Sequence, residues 1–191
     1  MMFEPKIFCI GLMKTGTVSL AEALSILGYQ VAHFDELRQI MEPTGGWLTG
    51  DFDTDWLKNH HAVLDNPVPR IFQVLDRKYP GSKFILTTRG RESWLESCKR
   101  YLESVPAKYE YRKLVRTSVY GMFSFHEETW IHVRERHHET VRSYFRNRRS
   151  DLLELDICNG QGWESLCDFL NKPEPKIEFP QKNRCPNYEF E

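Results

Sequence analysis

The sequence predicts an α/β fold with a parallel central sheet flanked by helices. Three observations carry this. Short apolar runs alternate with stretches of helical periodicity, which argues for a parallel sheet covered on both faces. A glycine-bounded loop follows the first run and leads straight into a helical pattern. The chain has 191 residues, 40% of them hydrophobic and 13% aromatic, which suits one domain with a sizeable core rather than a disordered segment.

The elements follow in order. Residues 6–10, KIFCI, form an apolar run that ends in glycine and read as a buried strand. Residues 18–27 follow as a helix, with Leu20, Leu24 and Leu27 at helical spacing and Gly28 as C-cap. Residues 29–34, YQVAHF, read as the second strand. Residues 61–65, HAVLD, read as the third, stopped by Asn66-Pro67. A helix over 70–78 has Ile71, Val74 and Leu75 on one face. KFILTTR, 83–89, is a β-branched fourth strand, followed by a helix over 92–102 with Trp94, Cys98 and Tyr101 inward. DLLELD, 151–156, is the fifth strand, and 162–170 the last helix, with Trp163, Leu166 and Leu170 inward.

Two regions break the alternation. Residues 42–53 are rich in Gly, Thr, Pro and Asp and read as a loop. Residues 109–149 read as a mainly helical insert, in which Trp130, Val133, His137, Val141 and Tyr144 form an apolar stripe that suits a core. The tail from Pro173 is expected to wrap the surface. No repeat or linker divides the chain, so residues 1–191 read as a single domain.

Composition removes several functions. A net charge of −1 gives no overall pull toward nucleic acid or an anionic membrane. The arginine-rich run 141–151 reads as a solvated helix end. Five cysteines, Cys9, Cys98, Cys158, Cys167 and Cys185, include no C-x-x-C; a reduced, cytoplasmic setting is expected. The start, MMFEPKIFCIG, is not a signal peptide, and no apolar stretch is long enough to span a bilayer. The pairs His60-His61 and His137-His138 point their side chains apart, so no metal is expected.

The chemistry concentrates at the predicted strand ends, where such sheets bind ligands. The loop 11–17, Asp65 and Arg89 should converge there. Loop N–H groups and the helix start make an anion site, to which Lys14 adds a charge and Thr15, Thr17 and Ser19 add hydroxyls. Gly11 and Gly16 have the spacing of the ATP-binding loop, but that loop follows its last glycine with Lys and Ser/Thr. Here Thr17 and Val18 stand there, and the lysine is inside the loop. Asp65 could still serve as a metal-holding acid, so a kinase stays among the readings. Arg89, with Ser97 eight residues on, can grip a second phosphate.

Together, KTGTVSL and TTRGRESWLES resemble the sulfotransferase superfamily. The resemblance implies a three-layer fold like that of P-loop NTPases. It implies the donor 3′-phosphoadenosine-5′-phosphosulfate (PAPS), with PAP as product and no metal. In that pattern Lys14, Thr15, Gly16, Thr17, Val18 and Ser19 lie in the loop that holds the 5′-phosphosulfate. Arg89 and Ser97 hold the 3′-phosphate. Residues 152–171 and 179–183 extend the likeness. The chain departs from the pattern at Met13, where proline is usual, at Val18 for Ser/Thr, and at Gly90 for Asp or Asn. It also lacks an R-K-G segment, for which Lys182, Asn183 and Arg184 are candidates.

The implied reaction is transfer of a sulfuryl group to a hydroxyl or amine of a small-molecule or glycan acceptor. Lys14 would stabilise the transferring group, and Asp65 would take the acceptor's proton, with His33 as the alternative base and Asp35 and Glu36 behind them. Residues 45–53 and 109–125 would shape the acceptor site, with Tyr101, Tyr109, Tyr111 and Phe123 as an aromatic wall. An ATP- and magnesium-dependent kinase and a non-catalytic nucleotide-binding protein on the same fold are the alternatives. The oligomeric state stays open.

Overall fold

The structure, a computed structural model, describes residues 5–33, 59–104 and 110–182. Five strands, β1 (Ile7–Cys9), β2 (Val31–Ala32), β3 (Ala62–Val63), β4 (Lys83–Thr87) and β5 (Leu152–Leu155), form one sheet in the order β2-β3-β1-β4-β5. Every pairing is parallel; Phe8 lies opposite Val63 on one side and Phe84 on the other. All five carboxyl ends therefore open on the same edge.

Among the described residues six α-helices accompany the sheet: α1 (Thr17–Ile26), α2 (Val68–Lys78), α3 (Arg91–Ser104), α4 (Glu110–Tyr120), α5 (Glu127–Phe145) and α6 (Trp163–Leu170). Each has a local reason. α1 ends in a Schellman motif: Tyr29 N–H bonds Leu24 O, Gly28 N–H bonds Ser25 O, and Gly28 adopts φ 88°. α2 carries Pro69 in its first turn, where the missing N–H is harmless. α5 begins with His126 capping Thr129 N–H, has Glu127 and Glu128 at the positive end of the helix dipole, and has Arg142 near the negative end.

Strand alternation divides the core in two. Phe8, Ile10, Val63, Phe84 and Leu86 pack against Ile71, Phe72 and Leu75 of α2 and Val141 and Phe145 of α5. Ile7, Cys9, Ala62, Leu64, Ile85 and Leu155 pack against Leu20, Ala23 and Leu24 of α1 and Trp163 and Leu166 of α6. This is the expected three-layer arrangement. A third cluster lies beyond the strand ends, where Leu12 and Met13 meet Trp94, Cys98, Tyr120 and Trp130.

The insert resolves into α4 and α5, and its stripe is core: Trp130 and Val141 are fully buried. The arginine-rich end is exposed, in keeping with a solvated helix end, and two of its arginines make ion pairs there. Arg142 pairs with Glu154 at 2.7 Å, and Arg148 pairs with Asp76 at 2.6 Å. The tail does wrap the surface, with the Phe179 ring on Trp163. The strands are shorter than expected, most clearly at their carboxyl ends, where the flanking residues turn into the loops that carry the candidate site. Phe34, Asp35, Glu36, the 42–53 loop, Tyr109, Asn183, Arg184 and Cys185 lie outside the described residues.

Candidate active site

The loop after β1 turns because two of its residues are left-handed. Lys14 has φ 68° and Gly16 φ 94°. Placing such residues among right-handed ones turns successive N–H groups toward one side, which makes an anion-binding concavity. Thr17, Val18 and Ser19 then begin α1, where N–H groups have no carbonyl one turn earlier. The loop thus ends on the positive end of a helix.

The loop carbonyls are covered by side-chain donors. His137 Nε2 donates to Ile10 O at 2.7 Å, Thr15 Oγ1 to Leu12 O at 2.6 Å, Trp94 Nε1 to Met13 O at 2.9 Å, and Arg89 Nη1 to Lys14 O at 3.3 Å. Burial lowers the His137 pKa, so the ring is neutral near pH 7 and its proton sits on Nε2 to make this bond. With these negative ends engaged, the loop field is dominated by N–H groups and cations.

Beneath the loop runs a buried hydroxyl chain. Thr15 and Thr87 oxygens are 2.6 Å apart, and Cys9 Sγ lies 3.8 Å from Thr87 Oγ1. Thr15 gives its one proton to Leu12, so Thr87 donates to Thr15. Burial pushes the Cys9 thiol up to about 11, which keeps it protonated and able to donate to Thr87. The Thr15 hydroxyl therefore serves the loop from within; what it can offer a ligand is its backbone N–H.

Lys14 Nζ rests 4.8 Å from the centre of the Tyr101 ring, and the Arg116 guanidinium lies 5.5 Å from the same ring. Arg89 also donates from Nε to Ser93 Oγ at 3.2 Å, and Ser93 in turn donates to Gly90 O. Ser93, one turn before Ser97, is thus the α3 hydroxyl that Arg89 touches, while Ser97 is largely buried beside Cys98. Lys14 and Arg89 both oppose the burial that raises the Cys98 pKa, which places the two cations around one point. Arg134 of α5 donates to Arg89 O at 2.9 Å and fixes the turn after β4.

Ser19 accepts the Lys182 N–H at 2.9 Å, so its hydroxyl anchors the tail to α1. Val18 is the one residue of the set with an exposed side chain, apolar and 37% accessible. The proposed aromatic wall is dispersed: Tyr101 lies under Lys14, Tyr111 is buried, and Phe123 faces solvent.

At the other side of the crevice, His33 follows β2 and Asp65 follows β3. His33 Nε2 is 3.5 Å from Asp65 Oδ2. Asp65 has φ 78°, held by its Oδ1 accepting the Asn66 N–H at 2.6 Å. Among the described residues three non-glycines have positive φ; Lys14 and Asp65 are two of them, and the third, Asn171, ends a helix. Such strain concentrates where geometry is over-determined. No group of three metal-ligating side chains occurs among the described residues.

A family model described as a sulfotransferase domain matches residues 6–187. The chain belongs to this sulfotransferase family. It is also similar to the Ava biosynthesis cluster protein M of Aspergillus versicolor, 29% identical over 211 residues that cover 92% of this chain and 79% of that protein. The family assignment makes the chain a transferase domain and agrees with the five-stranded parallel sheet.

Within this sulfotransferase-family fold, the sequence pointed to Lys14, Arg89, His33 and Asp65, and all four lie at the carboxyl edge of the sheet. It missed Thr87, Tyr120, Arg116, Arg134 and the structural use of His137 and Trp94. The threonine pair Thr87-Thr88 in LTTR was the visible signal for Thr87. The helical residues carried no local signal.

Proposed function

We propose that the chain transfers a sulfuryl group from PAPS to a hydroxyl or amine of a small-molecule or glycan acceptor, with PAP as product. The observation that carries this reading is the convergence of Lys14 and Arg89 on a loop whose carbonyl oxygens are engaged by side chains. Such a site suits a ligand with two separate phosphate groups. Lys14 and the N–H groups of residues 14–19 would hold its 5′ end; Arg89, with Ser93 and Ser97 on α3, would hold the 3′-phosphate. The donor supplies the activated sulfuryl group.

The residues of the chain do the rest. Lys14 and the loop N–H groups offset negative charge at the reacting end without reorganising. The His33–Asp65 pair takes the acceptor's proton. Asp65 is held by the bond its Oδ1 accepts from Asn66 N–H, and His33 Nε2 lies 3.5 Å from its Oδ2. Val18 supports this reading over a kinase, since it offers no oxygen where an ATP loop places its metal-binding hydroxyl. A reduced, cytoplasmic setting goes with the proposal and is supported by the buried thiols Cys9, Cys98 and Cys167. No nucleic acid or membrane partner is proposed; no helix among the described residues is long and apolar enough to cross a membrane.

The test is transfer of labelled sulfate from PAPS to a panel of alcohols, phenols, sugars and amines in EDTA. Turnover that is lost in Lys14→Met, with the fold retained, supports the proposal. Phosphate transfer from ATP with magnesium, and none from PAPS, overturns it. Binding without any turnover leaves the non-catalytic reading.

A further inference from the structure

Met13 is held at both of its backbone polar groups by aromatic side chains. Met13 N–H donates to the Tyr120 hydroxyl at 2.9 Å, and Met13 C=O accepts from Trp94 Nε1 at 2.9 Å. Tyr120 ends α4, 107 residues away in sequence, and Trp94 lies in α3. Neither ring has freedom to move. Both are fully buried, Tyr120 stacks on Trp130 with centroids 4.3 Å apart and planes 3° apart, and Trp94 packs on the other side of Trp130 at 5.9 Å. The Asn66 side chain lies near the same Tyr120 hydroxyl and opposes the burial that raises its pKa. Asn66 is the neighbour of Asp65.

We infer that Tyr120 and Trp94 are positioning residues that clamp the loop at Met13. A loop with a proline at position 13 would be stiff by itself but would have no N–H there. This chain has the N–H, and the Tyr120 hydroxyl takes it. The burial that keeps the phenol neutral also keeps water from competing for the bond. Lys14 is the next residue, so slack at Met13 is passed directly to its ammonium group. The effect on donor binding rests on the function proposed above; the clamp itself does not.

Amide hydrogen exchange by NMR, paired with calorimetry of 3′,5′-ADP, tests this on wild type, Tyr120→Phe and Trp94→Phe. Tyr120→Phe keeps the ring on Trp130 and removes one oxygen. The expected result is faster exchange at Met13, by about tenfold, with the amides of β1 and α1 unchanged. Binding of 3′,5′-ADP should weaken about three- to tenfold, the worth of one net hydrogen bond. Trp94→Phe should weaken it in the same range by loosening the carbonyl. Met13→Pro combined with Tyr120→Phe should cost less than the sum of the two, because both remove the same bond; ring strain enters both arms of the cycle and cancels. Unchanged Met13 exchange in Tyr120→Phe, or an additive cycle, overturns the clamp. If wild type does not bind 3′,5′-ADP, the donor reading fails, and the exchange data alone then decide the clamp.

Discussion

Arg89 donates through Nη1 to the carbonyl of Lys14 at 3.3 Å, across 75 residues of sequence. One residue lies just beyond β4 and the other sits in the loop after β1, and these strands are neighbours in the sheet. Their parallel pairing is what brings the two motifs into one crevice. The bond also fixes the Arg89 fork on the loop side, so the guanidinium approaches any bound anion from a set direction.

The Tyr101 ring should matter through its face rather than its hydroxyl. Lys14 and Arg116 share that ring, and such contacts are worth about 0.5–1 kcal/mol where partly exposed. Tyr101→Leu should weaken 3′,5′-ADP binding about two- to fivefold, and Tyr101→Phe should leave it unchanged. Equal losses in both variants, measured by calorimetry, would place the effect in the hydroxyl.

Under the proposed function, variants of the His33–Asp65 pair should separate binding from turnover. Asp65→Asn keeps a residue that tolerates φ 78° and removes the charge. It should lower kcat by about 10²- to 10⁴-fold while donor affinity stays near wild type. His33→Gln should fall by less if it assists rather than accepts the proton. A fall in donor affinity equal to the fall in kcat would show that the pair serves the fold instead.

Gly11 was legible as a loop glycine, but its constraint was not. A Cβ there would lie 1.9 Å from Thr87 Oγ1 and 2.7 Å from the Thr87 carbonyl. Gly11→Ala should cost about 3 kcal/mol by overpacking, read as a lower denaturation midpoint at constant slope. Thr87→Ala should not rescue it, since the Thr87 backbone is part of the clash.

What the sequence made readable follows from how each signal arises. Strand-to-helix alternation is local, so the sheet, the loop and the strand-end positions of His33, Asp65 and Arg89 could be placed in advance. The Schellman glycine Gly28 was readable for the same reason. Ser93 and Ser97 differ by one turn, and spacing alone favoured Ser97; which of them meets Arg89 depends on how the side chain leans against Lys14. The partners of Met13, Ile10 and Arg89 come from α3, α4 and α5. No periodicity shows which polar end of a core aromatic or histidine will reach a distant loop, so Tyr120, Trp94, His137 and Arg134 read only as helix and core.

His138 makes stability depend on pH. It is buried on α5, and burial first, then Arg134, His137 and Arg142, lowers its pKa from 6.5 to about 4 against the opposing pull of Glu154. The unfolded chain therefore binds the proton more readily than the folded one. Stability is full above pH 6.5 and is lost as pH falls toward 4. The gap is worth about 3 kcal/mol at its full extent, and the lowered pKa of His137 adds in the same direction. Urea unfolding of wild type and His138→Leu between pH 7.5 and about 4.5 should give a visibly flatter profile for the variant. Parallel profiles would remove His138 from the cause.

Calorimetric binding of 3′,5′-ADP in EDTA, with 5′-AMP and ATP as controls, on wild type and Arg89→Ala, tests the donor site most directly. The expected result is micromolar binding that needs the 3′-phosphate, needs no metal, and weakens by about tenfold or more in Arg89→Ala, as for a lost charged hydrogen-bonding partner. No binding of 3′,5′-ADP, or a preference for ATP that appears only with magnesium, would contradict it.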